Sequence, residues 1–194
     1  ERFDVILFTG ELRGRRLLDG YDNWPEEYRG GIGADGLVNL ESFIRAGGTV
    51  VGWGDTSMLL AELFEIPLKD GSAGLDSTDY FDPGSIVLAE LDLDNPLNYG
   101  MPEKAAVMVR RCPLFVPAAS VEASPEFVGH YPDYDPRLSG FLLGPEHMQG
   151  SGAVALQKMG DGKVVLFAYL PQFRAMTDGT YRQLFNIFFW PKEN

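Results

Sequence analysis

The stretch Ala46-Gly47-Gly48-Thr49-Val50-Val51-Gly52-Trp53-Gly54-Asp55-Thr56-Ser57 constrains the fold more than any other part of the chain. Two glycines end a helix-periodic segment, an apolar β-prone run follows, and a glycine turn leads into a second helical pattern. A continuous apolar strand held between two helices is expected in a sheet whose two faces are both covered. In open sheets of that kind, the turn after a strand's carboxyl end is where ligands and nucleophiles are usually placed.

The rest of the chain extends this series. Phe3–Phe8 reads as a buried parallel strand ending at Thr9-Gly10, and residues 10–34 read as a long aperiodic loop. Asp35 opens a helix carrying Leu37, Leu40, Phe43 and Ile44 at helical spacing. Thr49–Trp53 is the next strand, and Asp55 or Thr56 can cap a well-buried helix over Ser57–Phe64. Residues 69–150 change character, with many Pro, Gly and Asp. Ser85–Leu91, Ala105–Val109, Glu126–His130 and Leu138–Leu143 are short strands of a β-rich insertion or sheet extension. Ala153–Met159 and Lys163–Tyr169 flank Gly160-Asp161-Gly162 as a hairpin. Asp178-Gly179-Thr180 opens a last helix, with Tyr181, Leu184, Phe185 and Phe188 along one face. The expected fold is α/β: a three-layer flavodoxin-like domain over residues 1–194, with a mainly parallel sheet, the β-rich insertion and a C-terminal antiparallel hairpin.

Composition narrows the function. With 194 residues and 45% hydrophobic content the chain can build one sizeable core. A formal net charge of −12 argues against a nucleic-acid partner. No apolar run reaches the roughly 20 residues of a membrane helix. Glu1-Arg2-Phe3-Asp4 lead straight into a strand without a signal peptide, so the chain reads as an excised piece of a larger one. Its compartment stays open. A single Cys112 excludes an internal disulfide.

The turn at Gly54 has the strand-turn-helix form of a nucleophile elbow, which needs Cys or Ser at its tip and a His nearby. Its tip is Trp53-Gly54-Asp55. The Thr56 and Ser57 hydroxyls fall where backbone capping uses them, and Cys112 reads as structural. His130, in Gly-His-Tyr-Pro-Asp, and His147, in Pro-Glu-His-Met-Gln, match no paired metal motif. A second strand end, Leu170-Pro171-Gln172-Phe173-Arg174, can face the turn. Arg174 there can hold a carboxylate or phosphate bidentately, or pair with an acid such as Asp55, Asp82 or Glu11. Gly30, Gly31 and Gly33 make no dinucleotide fingerprint. The candidate crevice therefore comprises Glu11, Arg13, Gly54, Asp55, Thr56, Ser57, Gln172 and Arg174, with no metal ligand.

Phe3–Phe8, Phe43–Gly52 and Gly162-Lys163-Val164-Val165-Leu166-Phe167 resemble the class I glutamine amidotransferase-like fold. Active members carry a Cys in the turn after the Gly-Gly strand and His-Pro-Glu at the later strand end. Here Gly54 or Asp55 stands at the first place, and Leu170 and Gln172 stand at the second. The resemblance thus implies that amidotransferase activity is absent. Across most of the chain, Pro25–Gly33, Asp82-Pro83-Gly84-Ser85, Pro96–Pro102, Leu138–Gly144 and Pro171-Gln172-Phe173-Arg174-Ala175 resemble the C-terminal domain of large bacterial zinc carboxypeptidases. That likeness implies an upstream peptidase domain as partner, holding the zinc through a His-x-x-Glu motif this chain lacks. It leaves no cofactor in this segment. It also implies secretion or a periplasmic location if the parent carries a signal peptide.

Three readings follow: a non-catalytic accessory domain of such a peptidase, a small-molecule or peptide binding module that uses the crevice, and a cryptic hydrolase combining Asp55 or Ser57 with a histidine. Exposed aromatics such as Trp24, Tyr28 and Tyr134 could serve an interface, a homo-oligomeric one included.

Overall fold

A computed structural model describes residues 3–9, 16–118 and 124–190. Its centre is three adjacent strands: β1 (Val5–Phe8), β2 (Thr49–Trp53) and β10 (Gly162–Phe167). β2 lies in the middle, parallel to both neighbours, with Val50 opposite Ile6 on one side and Val164 on the other. Every residue of β2 and β10 is buried. Because successive side chains point to opposite faces, both faces are covered, as their unbroken apolar runs require.

The covering helices are the two read from the sequence. α2 (Gly33–Arg45) begins two residues ahead of Asp35, buries Leu40 and Ile44, and packs on β10. It stops because Gly47 takes φ of 99°, letting its N–H donate to the Ile44 carbonyl at 2.9 Å while Gly48 donates to Phe43 at 3.0 Å. Only glycine adopts that backbone freely. α3 (Asp55–Leu63) follows β2 directly and packs back on it. The stretch expected as a loop also contains one short helix, α1 (Arg16–Asp19), which buries Leu17 and Leu18 against α2.

Beyond the parallel trio, every described pairing is antiparallel. β9 (Gly152–Met159) folds back on β10 through the expected Gly160-Asp161 turn, placing Gly162 opposite Met159. β7 (Glu126–His130) pairs with β9, and β4 (Phe81–Leu91) and β5 (Lys104–Val109) continue the sheet. β8 (Arg137–Leu143) pairs along the first part of β4, and β7 meets its last residues, so one edge of β4 serves two strands. Two three-residue strands, β3 (Leu68–Asp70) and β6 (Phe115–Pro117), pair with each other, and β6 touches β9 at Phe115–Gly152.

The sheet is therefore mixed rather than mainly parallel. Among the described residues of 69–150, β4 and β5 pair as sequence neighbours without an α-helical crossover, and such links reverse a strand, whereas a parallel neighbour needs a long crossover. The four strands expected there exist and join the main sheet.

The last helix, α4 (Tyr181–Phe189), corrects the expected orientation. Gln183 and Ile187 are buried, while Phe185 and Phe188 stand 59% and 50% exposed. Gln183 faces inward because a buried polar network needs it. The Tyr169 hydroxyl donates to Gln183 Oε1, Gln183 Nε2 donates to Asn98 Oδ1 at 2.8 Å, and Asn98 Nδ2 reaches the Asp92 and Val128 carbonyls. In an apolar interior such groups are kept only when each finds a partner.

Candidate functional site

The turn between β2 and α3 is sharp. Gly54 combines φ of 55° with ψ of −136°, a backbone open to glycine and strained for other residues. Gly54 is also the residue before the first helical turn, so neither Asp55 nor Thr56 is the side-chain cap. The cap position makes no side-chain cap bond, and Asp55 is the first helical residue, where a carboxylate suits the positive end of the helix dipole. Thr56 and Ser57 are fully buried, and Ser57 Oγ donates to the Gly54 carbonyl at 2.6 Å. The Ser57 hydroxyl is thus spent on the turn.

The second strand end does come to this place. The Gly54 N–H donates to the Phe167 carbonyl at 3.0 Å, and Leu170 Cδ2 lies 3.3 Å from where a Cβ on Gly54 would stand. Leu170 is buried, with its N–H on the Met108 carbonyl. The tip of the turn therefore faces an isobutyl group across van der Waals distance.

Gln172 is half-buried, and Arg174 is exposed with φ of 50° and its guanidinium 5.4 Å from the Phe173 ring. Among the described residues Arg174 makes no ion pair with Asp55 or Asp82. Glu11 and Arg13 lie outside the described residues. His130 packs 5.5 Å from Phe127, and His147 lies edge-on to Tyr80 at 6.1 Å. Neither imidazole is hydrogen-bonded to the Gly54–Ser57 turn among the described residues.

What gathers around Asp55 comes from elsewhere in the chain. A groove of about 660 Å³ runs along α3 between Asp55, Met58, Leu59, Ile66, Leu68 and Arg111. A smaller recess of about 190 Å³ opens beside it, lined by Asp55, Asp70, Tyr80, Asp82, Arg111 and Cys112. Asp55 and Arg111 belong to both, so the two spaces share one wall. Arg111 is presented by a strained turn with φ of 52°. Its N–H donates to the Asp82 carbonyl at 2.8 Å.

Asp82 is 3% exposed, and its Oδ2 accepts from the Cys112 N–H at 3.1 Å. Burial pushes its carboxyl up to about 6, opposed by backbone N–H bonds from Cys112 and Arg111 and by the Arg111 charge. The Tyr80 phenol is held above its ordinary range by burial and by Asp82, Cys112 and Asp70. Its buried hydroxyl has no hydrogen-bond partner among the described residues. Asp70 Oδ1 accepts from Ser72 N, Ser72 Oγ and Leu114 N, which pins the recess floor to β3.

Sequence reasoning singled out Asp55 and missed Tyr80 and Arg111 altogether. It met Asp82 as a possible partner for Arg174 and within the Asp82-Pro83-Gly84-Ser85 motif, not as part of a cleft with Asp55. Arg111 sits between β5 and β6, and Tyr80 and Asp82 sit at the start of β4, so strand pairing alone brings them to α3. The one sequence signal was chemistry-bearing residues in aperiodic stretches at strand ends: Tyr80-Phe81-Asp82-Pro83 and Arg110-Arg111-Cys112-Pro113. Among the described residues no group of three His, Cys, Asp or Glu side chains is disposed to hold a metal ion, and no helix is long and apolar enough to cross a membrane.

A mixed α/β sheet with a glycine-tipped strand-turn-helix defines the class of fold. The chain is similar in fold to a cytoplasmic protein of Salmonella typhimurium LT2, with a TM-score of 0.58 and 13% identity over 98% of this chain and 73% of that one. A ThuA-like protein from Parabacteroides merdae superposes with a TM-score of 0.51 and 14% identity, over 97% of this chain and 70% of its own. An exo-β-1,4-mannosidase from an Opitutaceae bacterium gives a TM-score of 0.48 at 10% identity, and this chain spans 26% of its length. No protein-family profile and no curated protein matches the chain.

Proposed function

We propose that this chain is an amidotransferase-like domain that has given up catalysis and works by binding in the cleft beside α3. The ThuA-like protein from Parabacteroides merdae and the parallel β1–β2–β10 trio support the fold assignment. One observation carries the loss of catalysis: the tip of the turn is Gly54, and it faces Leu170. An acyl-transfer elbow needs a nucleophile there and a base within hydrogen-bond reach. Glycine and leucine supply neither. The joined groove and recess, with Asp55 and Arg111 on their shared wall, supply the remaining use.

The test is turnover. Glutaminase, esterase and peptidase substrates should all remain intact with the purified chain. Hydrolysis that survives Cys112→Ala and chelation would overturn the non-catalytic reading.

A second reading rests on the sequence likeness to the C-terminal domain of zinc carboxypeptidases. Under it the domain is an accessory partner of a peptidase, and the exposed Phe185, Phe188 and Phe189 favour a packing surface on α4. A His-x-x-Glu zinc motif encoded ahead of Glu1 is the expected finding, and an unrelated upstream sequence would remove this reading.

A further inference from the structure

We propose that the recess between Tyr80, Asp82, Asp70, Asp55 and Arg111 takes the ammonium head of an aliphatic primary amine, with the alkyl chain lying along the α3 groove. The inference deepens the binding reading of the same cleft and rests on it.

Three features converge. Among the described residues that line it, the recess sets three carboxylates, Asp55, Asp70 and Asp82, against one guanidinium, Arg111, so these groups favour a cation over an anion. Asp82 is almost wholly buried there, and a buried carboxylate gains most from an opposite charge brought into contact. Tyr80, 8% exposed, contributes a buried hydroxyl with no protein hydrogen-bond partner among the described residues, and it lies among the Asp82, Cys112 and Asp70 groups of the same recess. A phenol oxygen can accept a hydrogen bond, and an ammonium offers three donors in a compact head. That head would meet the Tyr80 oxygen and the Asp82 carboxylate together.

The shape of the cleft selects the rest of the ligand. The recess, at about 190 Å³, has room for an ammonium and its first carbons, not for a large ring system. The groove that continues from it past Asp55 is walled by Met58, Leu59, Ile66 and Leu68. An alkyl chain of a few carbons would cover that wall and gain from burial. Among the described residues the carboxylates are not grouped to ligate a metal ion, and the donors and acceptors present match a hydrogen-bonding organic cation. A free alkylamine and a lysine side chain of a peptide share this chemistry.

The experiment is a titration followed by amide NMR shifts, using n-butylammonium, n-butanol, butyrate and tetramethylammonium, with N-acetyl-lysine methylamide as a fifth probe. Butylammonium is expected to shift resonances around Tyr80, Asp82 and Met58, with the other three small probes binding at least about tenfold more weakly, the usual scale of a charge-assisted hydrogen bond. Tyr80→Phe and Asp82→Asn should each weaken butylammonium by about tenfold or more. Tyr80→Phe removes a hydroxyl with no hydrogen-bond partner among the described residues, so it should fold normally and keeps the test decisive if Asp82→Asn does not. Tighter binding of the lysine derivative would assign a peptide side chain, and tighter binding of butylammonium would assign a free amine. Either supports the ammonium site. Butyrate binding in the cleft that is lost in Arg111→Ala would overturn the ammonium assignment while leaving the cleft a binding site. Binding by butanol equal to that of butylammonium, or indifference to Tyr80→Phe, would also overturn it. Failure of all five probes to bind would remove the binding reading as well.

Discussion

Asp82→Asn isolates the cost of keeping a carboxylate in the recess. The Asp82 carboxyl moves from an ordinary 3.8 to about 6 because burial disfavours its charged form. Between those values the folded protein holds a proton that the unfolded chain has released. Stability therefore falls as pH rises through that window and stays lowered above it. At 1.36 kcal/mol per pH unit, the shift corresponds to about 3 kcal/mol in all, of which about 2.4 kcal/mol is lost between pH 4 and pH 7 because the unfolded carboxyl is already more than half ionised at pH 4. Asparagine has nearly the same shape and no such titration. Its amide oxygen can keep the bond from the Cys112 N–H, while its NH₂ opposes the other backbone donors, and that penalty does not change with pH. Urea unfolding of both proteins at pH 4, 5, 6 and 7, at fixed ionic strength, gives the difference in stability directly. The variant should gain on the wild type by about 2.4 kcal/mol across the series, whatever the starting offset. A difference that stays flat from pH 4 to 7 would refute the claim that Asp82 is desolvated in the folded state.

Other perturbations follow from the same geometry. Gly54→Ala forces a Cβ into a left-handed turn and should cost about 1–3 kcal/mol in chemical denaturation, with an unchanged m-value. Gln183→Leu strands the Tyr169 hydroxyl and the Asn98 carbonyl in the core and should cost roughly 2–6 kcal/mol, read as a fall in Tm. Phe185→Ser, on the exposed side of α4, should change stability by no more than about 0.5 kcal/mol, and a large loss in a thermal melt would place that ring in the core instead. Arg174→Ala should be nearly as silent in stability, since among the described residues the exposed Arg174 guanidinium makes no ion pair and lies over the Phe173 ring at 5.4 Å.

The parallel centre of the fold was legible because burial on two faces writes itself as unbroken apolar runs. Thr49–Trp53 matches to the residue, and the Gly160-Asp161 hairpin emerges from turn chemistry alone. The insertion strands were legible for the same local reason, but their pairing partners were not, which is why the sheet was expected to be mainly parallel. β3 and β6 escaped because three residues carry no periodicity and Pro117 argues against a strand. On α4 the aromatic stripe suggested a core face, yet periodicity reports only that a stripe exists, not which neighbour it meets. The demand of Tyr169 and Asn98 for Gln183 turned the helix the other way. The recess was least legible of all: Asp55 came from a local motif, whereas Tyr80, Asp82 and Arg111 reach it through contacts distant in sequence.

The placement of β10 between β2 and β9 also bears on how the chain matures. Thr49 finds its partner Lys163 only after on the order of a hundred intervening residues have been made, a separation that slows folding. During synthesis β2 would stand for seconds with one apolar edge open, a template for pairing with other nascent chains. A product truncated before Gly162 would keep that edge permanently, so such fragments should collect in aggregates, while a chain that includes β10 closes the gap itself.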